Sequence, residues 1–482
     1  MPVRSLSAQL TKIYQFVFGL VIVAIGMYAV NSAVSGSQGK LKLLAAGLAG
    51  AALILALERY YWVLSAFLFG FYDLIPKVKF TGAELGALIL VGTFFVRMAL
   101  RRDPVAEKRS PVVFSMLPFL IWMLIVWSQY PTGMLIFGSG TIGGRFYFKV
   151  ILAFLAAMCL SAMKFDEGDC KRLCFAIASG YTAFVLKNVM FGSSESLMGS
   201  GVHYSYNHLA FVAPLFLCRF TTPELLGRFW PLAGFLLTFG LSVYSGHRSS
   251  MARPTLIGLM APFFLRRDRF KTMMLALVAS IPLVVAVAGQ GTLWRLPFSI
   301  QRSLSFLPAK WDSRLEDYGF RDTFRATLRI YAREHIAASP WVGDGGFALN
   351  MSSMAWATSG NAIRDGYSSH VLARNWHNVW LGMAADFGIP LSVFWALFMA
   401  CLLVFGWNGL KFLPPGSWNQ TMYLYFYLFI IVEFINSFFN GGHTALTAQQ
   451  FFYWAGWMSA VLNGAREKTG QVPPVPVAGS AF

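Results

Sequence analysis

Apolar stretches of roughly bilayer-spanning length, about 20 residues each, recur along almost the whole chain and leave one long polar interval, residues 291–376. A chain built this way has to satisfy its backbone polar groups internally, because hydrocarbon offers them no partner. The stretches lack the apolar/polar alternation of a membrane barrel. The expected fold is therefore all-α, a polytopic transmembrane helical bundle. Candidate spans run over 13–34, 41–57, 60–75, 82–100, 111–130, 146–163, 172–191, 207–220, 228–246, 249–265, 271–290, 388–406, 420–440 and 444–463. The second, third and eighth are short, which sets the expectation at about 12 to 14 spans with one long extracytoplasmic loop containing helices. A composition of 56% hydrophobic and 12% charged residues excludes a soluble globular enzyme of this length. Any chemistry must sit at a membrane surface or inside the bundle.

The net charge of +18 does not indicate nucleic acid, because the 39 Lys and Arg residues are scattered over short loops rather than gathered on one domain. Membrane topology accounts for them. The strongest basic runs, RRDPVAEKR at 101–109 and RRDRFK at 266–271, belong on the cytoplasmic side. Threading with the N-terminus inside satisfies both and puts the two termini in the cytoplasm. The loops at 131–145, 192–206, 246–249 and 440–443 then lie outside, with the long interval. The chain divides into an N-terminal part of the bundle (1–290), a large outer loop (291–376), C-terminal transmembrane helices (377–463) and a Pro-rich tail (464–482) expected to be disordered. The first apolar stretch is longer than a signal-peptide core and is read as retained. The five cysteines imply no disulfide framework, and Cys170 and Cys174, read as flanking a short basic loop, have no second pair for zinc.

Several polar residues need a reason to be where they are. In YSGHRSSMARP, Tyr244 to Pro254, two apolar spans are joined by little more than His247 and Arg248. An Arg at the mouth of a bundle snorkels to headgroups, pairs with an acid or binds an anion, and its donor fork suits phosphate oxygens. Arg145, beside Gly143 and Gly144, poses the same question. Within the long interval, DSRLEDYGFRDTFRATLRIYAREH is followed by the breaker ASPWVGDGGF at 338–347, which ends an expected helix. Arg321, Arg325, Arg329 and Arg333 recur every four residues there, and such a stripe of cations is unfavourable unless acids such as Asp317, Asp322 and Glu334, or an anion, meet it. His377 stands where polar loop passes into apolar helix, with Asn378 as a neighbour, and its ordinary pKa near 6.5 suits a general base. His335 and His370 lie in the same interval at spacings that match no compact metal site, so no metal and no cofactor is expected. The chain has no phosphate-binding glycine loop, no Gly-x-Ser-x-Gly elbow and no His-Glu-x-x-His. Energy for bond formation must arrive in the substrate.

Taken together, the SGHRSS turn, the single outer loop with an Arg-rich helix and SPWVGDGGF, and the following HNVWLGMAADFGIP resemble the O-antigen ligase and O-antigen polymerase superfamily, over roughly Phe211 to Asn463. The resemblance implies a glycosyltransferase of bacterial inner membranes, working at the periplasmic face. It would take glycan from undecaprenyl diphosphate and join it to a hydroxyl on lipid A-core (ligase) or on another repeat unit (polymerase). Carried over by position, His377 is the base that takes the acceptor proton. Arg248, with Arg321 or Arg325, binds the diphosphate, and Arg145 and Arg329 are placed with them as ligands. Asn378 and His247 support these groups, although His247 occupies a position where many relatives carry a small residue.

Both lines of reading lead to metal-independent transfer with inversion, in which arginines neutralise the leaving diphosphate. A carboxylate nucleophile for double displacement would have to be Asp344, Asp365 or Glu433. A flippase of lipid-linked sugars is the alternative from a different class, but the two halves of the chain show no repeat and the polar residues gather on one side. A receptor or scaffold using Trp341, Trp356 and Trp376 as interface anchors is a third.

Overall fold

The computed structural model describes residues 60–71, 81–99, 110–130, 143–191, 201–219, 229–264, 284–305, 307–313, 323–347, 376–439 and 444–469, together with 274, 281 and 315. The first two candidate spans, most of the eleventh, Arg321 and residues 470–482 lie outside these residues, whereas 464–469, expected in a disordered tail, continue the last helix.

Helices dominate the described chain, and no strand occurs among its residues beyond one isolated bridge between Gln290 and Trp294. In chain order they are α1 (Tyr61–Gly70), α2 (Gly82–Ala99), α3 (Pro111–Phe114), α4 (Leu117–Gln129), α5 (Gly144–Ser161) and α6 (Glu167–Phe191). A 3₁₀ segment, Gly201–Phe211, leads into α7 (Ala213–Arg219), α8 (Phe229–Tyr244) and α9 (Arg248–Phe264). The polar interval contributes α10 (Phe298–Leu304) and α11 (Thr323–Ala338). The chain then forms α12 (Val379–Phe387), α13 (Ile389–Gly409), α14 (Trp418–Phe439) and α15 (Thr444–Thr469). Five helical stretches, Pro111–Gln129, Gly144–Ser161, Glu167–Met190, Ile389–Phe412 and Trp418–Phe438, are long and apolar enough to cross a membrane.

Three expectations are corrected. The eighth span is a 3₁₀ segment followed by only seven residues of α-helix. The third is ten residues long, too short to cross hydrocarbon unaided. Cys170 and Cys174 lie on α6 itself, whose first turn carries Glu167 and Asp169, acids that favour a helix N-terminus.

The bundle centres on α5 and α15. Ala153, Ala156 and Ala157 of α5 and Ala448 and Ala455 of α15 are all fully buried. Gly456 lets the backbones approach so closely that a Cβ there would lie 2.9 Å from the Ala157 Cα. Small residues at such crossings replace the hydrophobic driving force that lipid cannot supply. By contrast, α13 is apolar all round and exposes Val393, Leu397, Val404 and Trp407, which assigns that face to lipid.

Polar bonds sort the helix ends into two groups. At one end, Asn463 on α15 donates to the Ser161 carbonyl that closes α5, and Asn419 at the start of α14 donates to the Phe165 carbonyl. At the opposite end, Gly143 donates to the Phe347 carbonyl of the polar interval, and Asn378 donates to the Phe438 carbonyl at the close of α14. The second group contains Gly143 and Phe347, both in segments that the charge threading placed outside.

At that same end lies a buried charge cluster. Thr81 and Glu84 form a capping box on α2, in which the Thr81 N–H donates to Glu84 at 2.6 Å and the Glu84 N–H to the Thr81 hydroxyl at 3.3 Å. The Glu84 carboxylate also accepts from Arg145 at 3.0 Å and lies 3.5 Å from the Lys149 ammonium, both on α5. Since Glu84 answers two buried cations, Glu84→Gln is expected to cost about 3–5 kcal/mol. Thermal unfolding of the detergent-solubilised protein should show a large drop for Glu84→Gln and little change for Glu334→Gln, whose carboxylate is exposed.

Candidate active site

Chain chemistry dictates a tight turn between α8 and α9, and three serines make it rigid. Ser242 and Ser245 bond back to the Phe239 and Ser242 carbonyls, and Ser250 bonds to Asn207 of the 3₁₀ segment. On this frame α9 opens with Arg248. Its guanidinium donates to the Ser305 hydroxyl at 2.7 Å, just past α10, and that hydroxyl bonds the Arg302 carbonyl at 3.0 Å. Ser303 fastens α10 to the turn by a 2.6 Å bond to the Val243 carbonyl.

The Arg302 and Arg325 guanidiniums both lie within electrostatic range of Arg248. Arg248 keeps solvent access, yet partial burial holds it below its ordinary range, and Arg325 of α11 and Arg302 of α10 push it the same way. None of the three has an ion-pair partner among the described residues. Like charges brought together in this way favour an incoming anion, and three donor forks suit phosphate oxygens. Beside them His247 is held down to about 4 by burial, with Arg302 and Arg253 contributing, so it is neutral at pH 7.

Below the turn, the acid–base balance is complete. Arg253, a turn and a half into α9, forms an ion pair with Glu433 of α14, and Asn436 donates to the same carboxylate at 3.0 Å. Following α14 towards its C-terminus leads to Ser437, which accepts from the Trp380 indole at 2.8 Å, and to the Phe438 carbonyl, which accepts from Asn378 at 2.9 Å. Asn378 is also the N-cap of α12, accepting from the Leu381 N–H at 2.9 Å. This double use of one amide sets the position of the preceding residue, His377. Among the described residues His377 is the only non-glycine with a positive φ, 51°. Left-handed backbone at a non-glycine residue carries strain that persists where surrounding contacts enforce it, often at functional sites.

The polar interval is strapped over this region. Leu328 and Ala332 of α11 pack on Trp376 and Ala385. His335 bonds Asp344 through Nδ1 at 2.8 Å and stands edge-on to Trp376, whose indole donates to Asp386 at 3.1 Å. The SPWVGDGGF turn is stitched to the α12–α13 junction by Asp344 N–H to the Ala385 carbonyl, Gly346 N–H to the Asp386 carbonyl, and Ile389 N–H to the Pro340 carbonyl. Gly388 has φ 85°, and a Cβ there would lie 2.0 Å from the Trp341 carbonyl oxygen, so only glycine allows this junction. Helix α11 thus carries Arg325 within electrostatic range of Arg248 and packs its later turns on Trp376.

Arg248, Arg325 and His247 neighbour the α8–α9 turn, and His377 and Asn378 precede α12. All five occupy one end of one bundle. Arg329, half-buried one turn beyond Arg325, has no ion pair among the described residues. Arg145 is a correction: its side chain is 5% exposed and its guanidinium is bonded to Glu84, so it neither anchors headgroups nor stands among the arginines near Arg248. Arg321 and His370 lie outside the described residues. Arg302 is the residue that sequence reasoning missed, since it belongs to no periodic stripe and only the docking of α10 on the turn brings it to Arg248.

No protein-family model matches the chain, and no curated protein is significantly similar to it.

The left-handed backbone at His377 makes a specific stability ordering. His377→Gly should unfold within about 1 kcal/mol of the parent, whereas the β-branched His377→Val should lose at least a further 1–2 kcal/mol. Denaturant or thermal melts of the two variants in one detergent check this.

Proposed function

We propose that this protein is a membrane-embedded glycosyltransferase that transfers glycan from undecaprenyl diphosphate to an acceptor hydroxyl, as an O-antigen ligase does, at the periplasmic face of a bacterial inner membrane. The single observation carrying this reading is the electrostatic proximity of Arg248, Arg302 and Arg325 at the end of the apolar bundle that also holds His377. Apolar helices call for a lipid bilayer, and a long polyprenyl chain in that bilayer would deliver its diphosphate to the depth of these arginines.

In the proposed reaction the acceptor oxygen attacks the anomeric carbon while the bond from that carbon to the phosphate oxygen breaks. The acceptor proton passes to the His377 imidazole, and the electron pair leaves with the diphosphate, whose charge rises from two negatives to three. Arginines arranged in advance around that charge stabilise the transition state more than the ground state, which is where rate is gained. Two of the three carboxylates considered as nucleophiles are already engaged, Asp344 with His335 and Glu433 with Arg253. That supports direct displacement with inversion. The acceptor is lipid A-core or a similar glycan. A polymerase joining lipid-linked repeat units would use the same groups and differ only in acceptor. Arg248, Arg302 and Arg325 lie near one another at one end of the bundle, which supports an enzyme over a flippase.

Purified protein supplied with a fluorescent undecaprenyl diphosphate glycan and candidate acceptors tests the proposal. His377→Gly is expected to lower turnover by about 10²- to 10⁴-fold. Arg248→Ala and Arg302→Ala should each lower it by at least about tenfold, in line with the loss of one charge-assisted hydrogen bond. EDTA should change little, and the product should have the opposite anomeric configuration to the donor. Undiminished transfer by all three variants would dismiss the site, and lipid movement without a new glycosidic bond would identify a transporter.

A further inference from the structure

The turn that follows the eleventh span presents more apolar surface than its place in a polar interval calls for. Leu293 is 78% exposed, the highest value of any large hydrophobic among the described residues, and Trp294 beside it is 40% exposed. A single exposed leucine needs no explanation, but these two do not stand alone. Residues 284–288 are helical, and Ile281, Val284, Val285 and Ala288, all exposed, fall at i, i+3, i+4 and i+7 on one face. That face belongs to an apolar span and so meets lipid. Leu293 and Trp294 continue the apolar surface past the helix end.

The continuation is a built turn. The Gln290 side chain, 3% exposed, donates to the Lys310 carbonyl at 3.2 Å and accepts from the Leu296 N–H at 2.8 Å. The Gly291 N–H donates to the Trp294 carbonyl at 2.8 Å, and the φ of 76° at Gly291 closes the turn. The Trp294 indole folds back onto the helix and donates to the Ala286 carbonyl at 3.0 Å. A Cβ at position 289 would lie 2.2 Å from that ring, so Gly289 makes room for it. Leu293 at the tip is thereby held away from the rest of the protein. Arg295 and Lys310, both exposed, flank the turn. An apolar tip with an indole and basic side chains beside it has the composition of a membrane–water interface, where aromatic rings sit at headgroup level and cations reach lipid phosphates.

We propose that residues 289–297 are seated in the bilayer leaflet at this end of the bundle, with Leu293 among the acyl chains, Trp294 at their headgroup boundary, and Arg295 and Lys310 against lipid phosphates. The partner is the lipid surface itself. Pro297 follows as the N-cap of α10, and α10 carries Arg302 and is pinned through Ser303 to the Val243 carbonyl. This part of the polar interval therefore rides on the membrane, and it fixes Arg302 near the depth of lipid phosphates. Such a seating requires a bilayer around the apolar helices and no particular reaction, so it stands or falls apart from glycan transfer.

Spin labelling of the full chain in liposomes tests it. Cys174 and Cys401, the native cysteines that are not buried, are first replaced by Ala. Nitroxides are then introduced by Leu293→Cys, by Val404→Cys on the lipid face of α13, and by Glu334→Cys on the exposed side of α11. Molecular oxygen concentrates among acyl chains and a polar nickel chelate in water. Collisions with oxygen are expected to outnumber those with nickel at position 293 as at 404, with the order reversed at 334. A second measurement needs no label: Trp294→Phe should lose part of the indole fluorescence that is quenched by lipids brominated near the headgroup end of their chains. Nickel prevailing at position 293, in a protein whose melt matches the parent, would put the turn in water. Low collision rates with both reagents would mean that protein, such as a second copy of the chain, covers it. Either result overturns the proposal. Should Leu293→Cys fail to fold, the fluorescence decides, and equal quenched amplitude in the parent and Trp294→Phe overturns it.

Discussion

Charge inside an apolar bundle has to be answered, and this protein answers it differently for buried and for solvent-accessible side chains. Within the bundle, Glu84 accepts from Arg145 and faces Lys149, and Glu433 holds Arg253 with help from Asn436. Removing one partner of such a pair leaves an uncompensated charge in a low dielectric, which is far more costly than the pair is stabilising. Arg248, Arg302 and Arg325 have no such acid among the described residues, although they oppose one another. The buried cations are thus paired, whereas three more accessible ones lie near one another, an arrangement that favours an anion.

The remaining architecture serves to hold that arrangement in register. Serines back-bonded to carbonyls fix the turn from α8 to α9, and Ser303 pins α10, which carries Arg302, against it. Helix α14 links the two halves of the site. Its Glu433 steadies α9 from the side, and its last carbonyls receive Asn378 and hence locate His377. Helix α11 closes the arrangement above, joined at its far end through His335, Asp344 and the Gly388 junction. An imidazole on strained backbone, supported from two sides, is pre-oriented, and pre-orientation is what a general base needs to act within a bound complex.

Much of this was legible in the sequence because lipid imposes simple rules. Apolar runs located the ends of α2, α5, α13 and α14 within a few residues, and the SPW and Gly-rich breaker located the end of α11. The His-Asn pair was readable for a physical reason as well, since Asn is a preferred N-cap and α12 begins directly after it. What could not be read depends on tertiary placement. Arg145 and Arg248 look alike in the chain, each an Arg next to a Gly- or His-containing turn at a span boundary. Only the fold brings Glu84 to the first and Ser305 with two further arginines to the second. Arg302 carries no local signal at all, because a seven-residue helix in a polar interval says nothing about what it packs against. The 3₁₀ segment before α7 escaped for the converse reason, since its composition is apolar enough to pass for a span.

The central claim is that one diphosphate lies against Arg248, Arg302 and Arg325 with its sugar beside His377. An electron cryo-microscopy map of the protein in lipid nanodiscs, with a non-hydrolysable undecaprenyl diphosphate sugar analogue bound, tests it most directly. The account predicts phosphate density within hydrogen-bonding distance of all three guanidiniums and the anomeric carbon on the side facing the His377 imidazole. Phosphate density at another part of the surface, or bound to the arginines with the sugar directed away from His377, would contradict it.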